Sequence, residues 1–287
     1  MPAVHHLQTT HSNLRLAVLE HNTGSPATPR NVGVHLARGD YLYFLDSDDW
    51  LHREGIERLL GILRETGDDY AVGKTIEVND KGERVHGRFT CYDELRSIDP
   101  FKASGLFRYL GPQARMTRTA LVKENRIRYP SLRYAEDKAF FMHVLATARY
   151  VSMTMQVIQY LDRTSSKQKS LSQSGNIIFR RKCDLEIIDH IKALNLPAKH
   201  EAMMLGRIYE YDFLHMFTTK SFIKSLDKHA FRTRILRSIK QRKPLEALRN
   251  PLSARSFLRN LPRHIKRQKI SAMISPMSSG RPCIGLL

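Results

Sequence analysis

Tyr41-Leu42-Tyr43-Phe44-Leu45-Asp46-Ser47-Asp48-Asp49 decides how this chain is read. Five consecutive large apolar residues run straight into three carboxylates. The run is short, rich in aromatics and free of Gly and Pro. That pattern predicts a strand buried on both faces, as in the middle of a parallel sheet. Lone carboxylates are too costly to continue inside such a core, so the strand is expected to emerge at Asp46. In open α/β sheets, ligands bind at the carboxyl ends of the strands. Clustered hard oxygen donors there suit a divalent cation, Mg²⁺ or Mn²⁺, and through it a phosphate. The same triplet also suits a capped strand end, with Asp48 or Asp49 as the N-cap of a helix starting near Trp50.

Before this stretch, Leu14 to Leu19 reads as a short strand and His21 to Pro29 as a turn-rich loop. Arg30 to Arg38 suits a short helix stopped by Gly39. A strand, a helix and the Asp40 to Leu45 strand would make a parallel βαβ unit. After the acids, Ile56, Leu59, Leu60 and Leu63 have helical spacing with one buried face, over Arg53 to Thr66. Tyr70 to Val78 predicts a strand, and Asn79 to Gly82 a hairpin turn. Ala114 to Met116 predicts a strand, Thr119 to Asn125 a short helix, and Ile127 to Leu132 an extended segment. Glu136-Asp137 then leads into a helix over Lys138 to Arg149, followed by a strand over Tyr150 to Leu161. Beyond Asn176 the strands stop, and two amphipathic helices are expected over Ile177 to Leu194 and His200 to Thr218.

The 287 residues carry a net charge of +19, unevenly placed. Phe222 to Ile270 holds 15 Lys/Arg against two acids, whereas residues 1–221 hold 31 against 26. The basicity therefore belongs to the C-terminal region, where Phe222 to Gln241 reads as a basic amphipathic helix. Such a region attracts polyanions: an anionic membrane, an anionic polymer or nucleic acid. Aromatic interleaving there is thin and no nucleic-acid module is recognisable. No apolar run approaches the roughly 20 residues of a membrane span, and no signal-peptide pattern follows Met1. Cys91, Cys183 and Cys283 match no metal spacing, which fits a reduced, cytoplasmic setting.

Three motifs together carry a family resemblance. They are Asn22 to Gly33 with its Arg30-Asn31 pair, Ala37-Arg38-Gly39-Asp40-Tyr41, and Phe44-Leu45-Asp46-Ser47-Asp48-Asp49; Glu136-Asp137 follows at a helix start. Over roughly residues 14 to 165 the chain resembles family 2 glycosyltransferases of the GT-A fold. It is closest in flavour to the bacterial branch that decorates wall teichoic acids and other surface polysaccharides. The resemblance implies a GT-A-like α/β domain, a mostly parallel sheet flanked by helices, over residues 1–170. A basic helical region over 171–287 would follow. It implies an inverting, metal-dependent transfer of a sugar from a nucleotide-diphosphate donor, a UDP-sugar in expectation, to a glycan or polyol-phosphate acceptor.

The same resemblance assigns roles. Asp46, Ser47 and Asp48 would be the DXD motif that holds Mn²⁺ or Mg²⁺ against the donor diphosphate, with Asp48 and Asp46 as the metal ligands. Asn22 and Arg30 fall where the family contacts the nucleotide or its diphosphate. Asp137 would be the general base for the acceptor hydroxyl, and Glu136 its orienting partner or an acceptor contact. Arg163 would meet the leaving diphosphate. Each has a plainer alternative: Glu136-Asp137 as first-turn acids of a helix, Arg30 and Arg163 as solvated charges. Family members begin with two strands that have no counterpart here, because Met1 stands close to the third. The resemblance therefore implies a domain incomplete at its N-terminus, and leaves a second reading. In that reading the chain is a weak or inactive remnant whose basic region binds an anionic polymer, or the inner membrane face peripherally.

Overall fold

A computed structural model describes residues 6, 10–86, 93–164 and 177–214. The basic helix expected over Phe222 to Gln241, Cys91 and Cys283 lie outside them. The chain divides into two compact units, Met1–Leu196 and Pro197–Leu287. In the first, the elements in chain order are helix α1 (Ala27–Leu36), strands β1 (Tyr41–Tyr43) and β2 (Trp50–Leu51), and helix α2 (Gly55–Thr66). Strands β3 (Tyr70–Asn79), β4 (Gly82–Val85), β5 (Leu95–Ile98) and β6 (Arg115–Arg118) follow. Helices α3 (Thr119–Glu124) and α4 (Glu136–Thr147), strand β7 (Val151–Asp162) and helix α5 (Ile177–Ala193) complete it. The described part of the second unit is helix α6 (Ala198–Arg207) and a π-helical stretch, Ile208–Leu214. No helix among the described residues is long and apolar enough to cross a membrane.

The fold class is the mixed α/β class expected, but the sheet is not mostly parallel. Seven strands run in the order β1-β6-β3-β7-β2, with β4 on β3 and β5 on β7. Of the six pairings among the described residues, only β3 with β7 is parallel. The reason is local. β6 enters between β1 and β3 and runs against both, and β4 folds back on β3 through the Asn79–Gly82 turn. That turn is closed by the Lys81 N–H donating to Asn79 Oδ1 at 2.9 Å, a short-range signal that was readable beforehand.

Two further expectations are corrected. Leu14 to Leu19 forms no strand; it has no regular secondary structure and is largely exposed, with no strand beside it among the described residues. It runs instead along α1, and a cavity of about 730 Å³ between them is lined by Leu16, Leu19, Val32 and Leu36. No parallel βαβ unit forms there. Second, β1 is the first strand in the sheet order, not a central one, and it ends at Tyr43, two residues early. Leu42 is buried, but Leu45 is 46% exposed. The strand stops because Phe44 leaves the sheet for a separate aromatic cluster. It meets Tyr129, Phe140 and Phe141 edge-on, at centroid distances of 5.3, 5.6 and 6.3 Å.

The core that carries the sheet's other face joins Leu59, Ile62 and Leu63 of α2 to Ala71, Ala114, Met116 and Ile158. Helix α2 ends at Gly67, whose φ of +72° and N–H bond to Leu63 O make a left-handed cap. Two glycines let Ile158 of β7 come in close. A Cβ on Gly55 would sit 2.3 Å from Ile158 O, and one on Gly73 would sit 2.3 Å from Ile158 Cγ1. Gly61, in the same helix as Gly55, has nothing within 4 Å of such an atom. Gly55→Ala is therefore expected to cost about 1–3 kcal/mol through backbone overpacking. Gly61→Ala should add about 0.5–1 kcal/mol by helix propensity. Urea denaturation of the two variants beside the parent measures both; equal effects would refute the packing account.

Candidate active site

The acids emerge where the sequence placed them. Asp46 follows the end of β1, and the Asp49 N–H donates to Asp46 O at 3.1 Å, closing the 46–49 turn. Ser47 and Asp48 are exposed on this turn, while Asp46 and Asp49 are half-buried. Asp49 looks inward: Gln159 Nε2 donates to its Oδ2 at 2.9 Å and the Asp162 N–H donates to its Oδ1 at 3.3 Å. Burial, with Asp48 and Asp46 nearby, pushes the Asp49 carboxyl up to about 6 despite those two donors.

Arg30 joins this turn to the second acidic motif. Its Nη2 lies 2.8 Å from Asp46 Oδ1 and its Nη1 lies 2.9 Å from Glu136 Oε1. The two carboxylates come from positions 90 residues apart in sequence and share one guanidinium. Helix α1 is aimed by its neighbour Asn31. The Asn31 amide donates from Nδ2 to Tyr129 O at 2.8 Å and accepts the Tyr129 N–H at 2.9 Å. Ser25 Oγ donates to Leu132 O at 2.6 Å and accepts the Ala27 N–H at 3.2 Å, which fixes the start of the helix. The guanidinium also lies over the Tyr129 ring at 5.4 Å, and that ring stacks on Phe140 of α4 at 4.0 Å.

Glu136 and Asp137 stand in the first turn of α4 after Ala135, which has φ +60°. A non-glycine residue in the left-handed region is uncommon and strained; here it delivers the two carboxylates side by side. Glu136 is buried; Asp137 is half-buried and accepts the Lys138 N–H at 2.7 Å. Burial, and then Asp137 beside it, push Glu136 up to about 7 in spite of Arg30. Burial also raises Asp137, opposed by the cations of Arg30, Lys138 and Arg115. The Lys138 side chain turns away to a buried ion pair with Asp184 of α5, Nζ to Oδ1 2.6 Å. Arg115 is buried in β6, donating to Tyr70 Oη and Tyr109 O and stacking over Phe141 at 5.0 Å.

The structure thus brings Arg30, Asp46, Glu136 and Asp137 into one site, with Asp48 and Ser47 on the same turn. Asn22 is not among them: its Oδ1 accepts the Gly24 N–H at 2.8 Å in an exposed local turn. Arg163 follows β7, its N–H bonded to Val78 O at 2.8 Å, one residue past the Asp162 N–H that holds Asp49. Sequence reading missed Asn31, Asp49 as an inward anchor, and Gln159. The last had one visible signal, a lone amide in the otherwise apolar run Val157 to Leu161.

Residues 3–124 match the family model described as Glycosyl transferase family 2. That match makes the N-terminal part of the chain similar to family 2 glycosyltransferases. It is similar to a poly(ribitol-phosphate) beta-glucosyltransferase of Bacillus spizizenii, 28% identical over 232 residues, 79% of this chain and 35% of that protein. It is also similar to TarS, a poly(ribitol-phosphate) beta-N-acetylglucosaminyltransferase of Staphylococcus aureus, 32% identical over 142 residues, 49% of this chain and 24% of the other. The chain thus spans about a third or less of these relatives. The crystal structure of S. aureus TarS 1-349 with UDP-GlcNAc has the same fold. Its TM-score is 0.69 at 23% identity, covering 89% of this chain and 76% of that one. The resemblance read from the motifs, and the GT-A-like fold it implied, are borne out.

Arg30 sets a stability test. Arg30→Met leaves Glu136 buried without its counter-charge, a loss expected to cost about 3 kcal/mol at pH 8. A carboxyl whose folded value is raised destabilises the fold only as pH climbs from its ordinary 4.5 through that value of about 7. The deficit should therefore shrink by pH 5.5, where Glu136 of the variant holds a proton. Denaturant titrations of parent and variant at both pH values check this; a deficit independent of pH would refute it.

Proposed function

We propose that this chain is an inverting glycosyltransferase. It would move a hexosyl or N-acetylhexosaminyl group from a UDP-sugar to a hydroxyl of a polyol-phosphate polymer. The observation that carries the reading is the shared guanidinium of Arg30, which holds the Asp46 turn and the Glu136-Asp137 helix start in one site. The relatives named for poly(ribitol-phosphate) support the acceptor class. The similar TarS structure in complex with UDP-GlcNAc supports the donor class.

Asp137 is the base in this reading. Glu136 is buried and committed to Arg30, while Asp137 is more open and keeps a raised basicity. A carboxylate whose basicity is raised by burial takes a proton more readily. Asp137 removes the acceptor hydroxyl proton; the freed oxygen bonds to the anomeric carbon as the bond to the donor diphosphate breaks, and the nucleoside diphosphate leaves with that electron pair. Attack from the face opposite the leaving group inverts the anomeric centre.

Asp48, with Asp46 beside it, suits Mn²⁺ or Mg²⁺ in donor chemistry, being hard carboxylate oxygen on an exposed turn. No group of three or more His, Cys, Asp or Glu forms a metal cage among the described residues. A cation that takes one or two carboxylates and completes its shell with phosphate oxygens and water needs none. When bound, such a cation neutralises charge on the departing diphosphate. Arg163, beside the end of β7, is the candidate contact for the same group. The basic stretch Phe222 to Ile270 adds affinity for an anionic polymer or for the cytoplasmic membrane face. No observation favours the inactive-remnant alternative.

Transfer from UDP-glucose and UDP-N-acetylglucosamine to a synthetic ribitol-phosphate oligomer, with Mn²⁺, tests the reading. Asp137→Asn should lower kcat about 10²- to 10⁴-fold while leaving UDP binding in place. Asp48→Ala should weaken UDP binding in Mn²⁺ instead. NMR of the product linkage reads the inversion. A parent protein that neither binds UDP nor transfers either sugar would overturn the proposal.

A further inference from the structure

Gln159 is a fully buried amide at the point where three strands and the acidic turn meet. Its Oε1 accepts Tyr43 Oη–H of β1 at 2.6 Å and the Ala114 N–H just ahead of β6 at 2.9 Å. Its Nε2 donates to Asp49 Oδ2 at 2.9 Å. The partners leave one orientation for the amide, oxygen toward two donors and nitrogen toward a carboxylate. Asp49 in turn holds the 46–49 turn through its N–H to Asp46 O.

Strand β7 is bent out of register to put the amide there. Val72 pairs with Met153, Lys74 with Val157 and Thr75 with Gln159. Over three residues of β3, β7 thus spends six, an excess of three. An odd excess moves the following side chains to the other face of the sheet, and such irregularities re-aim side chains beside active sites. The irregularity is clamped. Ile158 lies against the bare Cα atoms of Gly55 and Gly73. The His52 N–H donates to Ile158 O at 2.8 Å, and Arg58 Nη1 donates to Val157 O at 2.9 Å.

We propose that Gln159 is a positioning residue: its buried amide fixes Asp49, and through Asp49 the turn that presents Asp46 and Asp48. The ligand in this proposal rests on the transferase reading; the positioning itself does not. Gln159 touches no substrate and acts only through Asp49.

The test uses the full chain with Gln159→Met, which keeps size and burial but removes the amide, the donor to Asp49 and the acceptor for Tyr43 and Ala114 alike. UDP with Mn²⁺ is the binding probe, followed by calorimetry, and hydrogen–deuterium exchange is followed in the unliganded protein. The variant should bind UDP in Mn²⁺ at least about tenfold more weakly, a loss of the size seen when outer hydrogen bonds that support metal-holding groups are removed. Exchange should rise in residues 44–52 and stay at parent levels in α2 and α4. Tyr43→Phe, which leaves the bond to Asp49 in place, should keep parent binding and exchange. Adding Gln159→Met to Asp49→Ala should cause no further loss. Parent-like exchange of the turn in Gln159→Met, or a uniform rise across the sheet, would overturn the proposal. Should the parent itself fail to bind UDP in Mn²⁺, the transferase reading falls, and the exchange pattern alone still decides for or against Gln159.

Discussion

The guanidinium of Arg30, shared between Asp46 and Glu136, is the contact that turns two separate acidic motifs into a site. Remove it and three carboxylates, Asp46, Glu136 and Asp137, would face one another with no charge between them. Like charges at close range resist ionising together, and each buried one adds its own desolvation cost. Arg suits this place better than Lys would, because its planar fork offers separate N–H groups to two carboxylates at once. The ion pair is therefore as much a condition for assembling the site as a product of it.

That guanidinium is itself held by apolar packing and backbone pairing. Asn31 locks α1 to the extended segment at Tyr129 with two hydrogen bonds. The Tyr129 ring lies between the guanidinium and Phe140, and Phe44 closes the cluster edge-on. Phe44 belongs to the same run that ends in Asp46, while Phe140 belongs to the helix that begins with Glu136. The aromatic cluster and the ion pair thus join the same two elements, one through dispersion and one through charge. Movement of α4 relative to the turn would have to break both.

The acids and their emergence at a strand end were legible in the sequence, because burying carboxylates is costly wherever the strand lies. Helix α2, the β3–β4 turn and helix α4 were legible for local reasons: helical apolar spacing, an Asn–Gly turn and an apolar helix face. Strand direction was not. An apolar run such as Tyr41 to Leu45 fits a parallel or an antiparallel neighbour equally well, and the choice was made by β6, whose Arg118 pairs with Tyr41, 77 residues away. Leu14 to Leu19 is apolar enough for a strand, but an apolar run only offers a strand; hydrogen bonds to a neighbour make one. The resemblance to glycosyltransferases supplied Asp137 and Arg30 as site residues. Only the folded structure shows that Arg30 pairs with two carboxylates of the protein.

The acidic turn is held from two sides by groups of opposite character. On one side Arg30 takes Asp46 with a full charge in a half-open setting. On the other, Gln159 and the Asp162 N–H take Asp49 with neutral donors in a buried one. The division has a physical logic. A cation beside Asp49 would cancel negative charge that the turn needs if it is to attract a metal–diphosphate pair. Neutral donors fix the carboxylate without cancelling it; burial is the main cause of the raised value of Asp49, and the charges of Asp48 and Asp46 add to it. Arg30 meanwhile compensates the acids at the far end, where Glu136 would otherwise repel Asp137. The turn can therefore be rigid and still electronegative at its exposed residues, Ser47 and Asp48, where an incoming cation and diphosphate would first meet it.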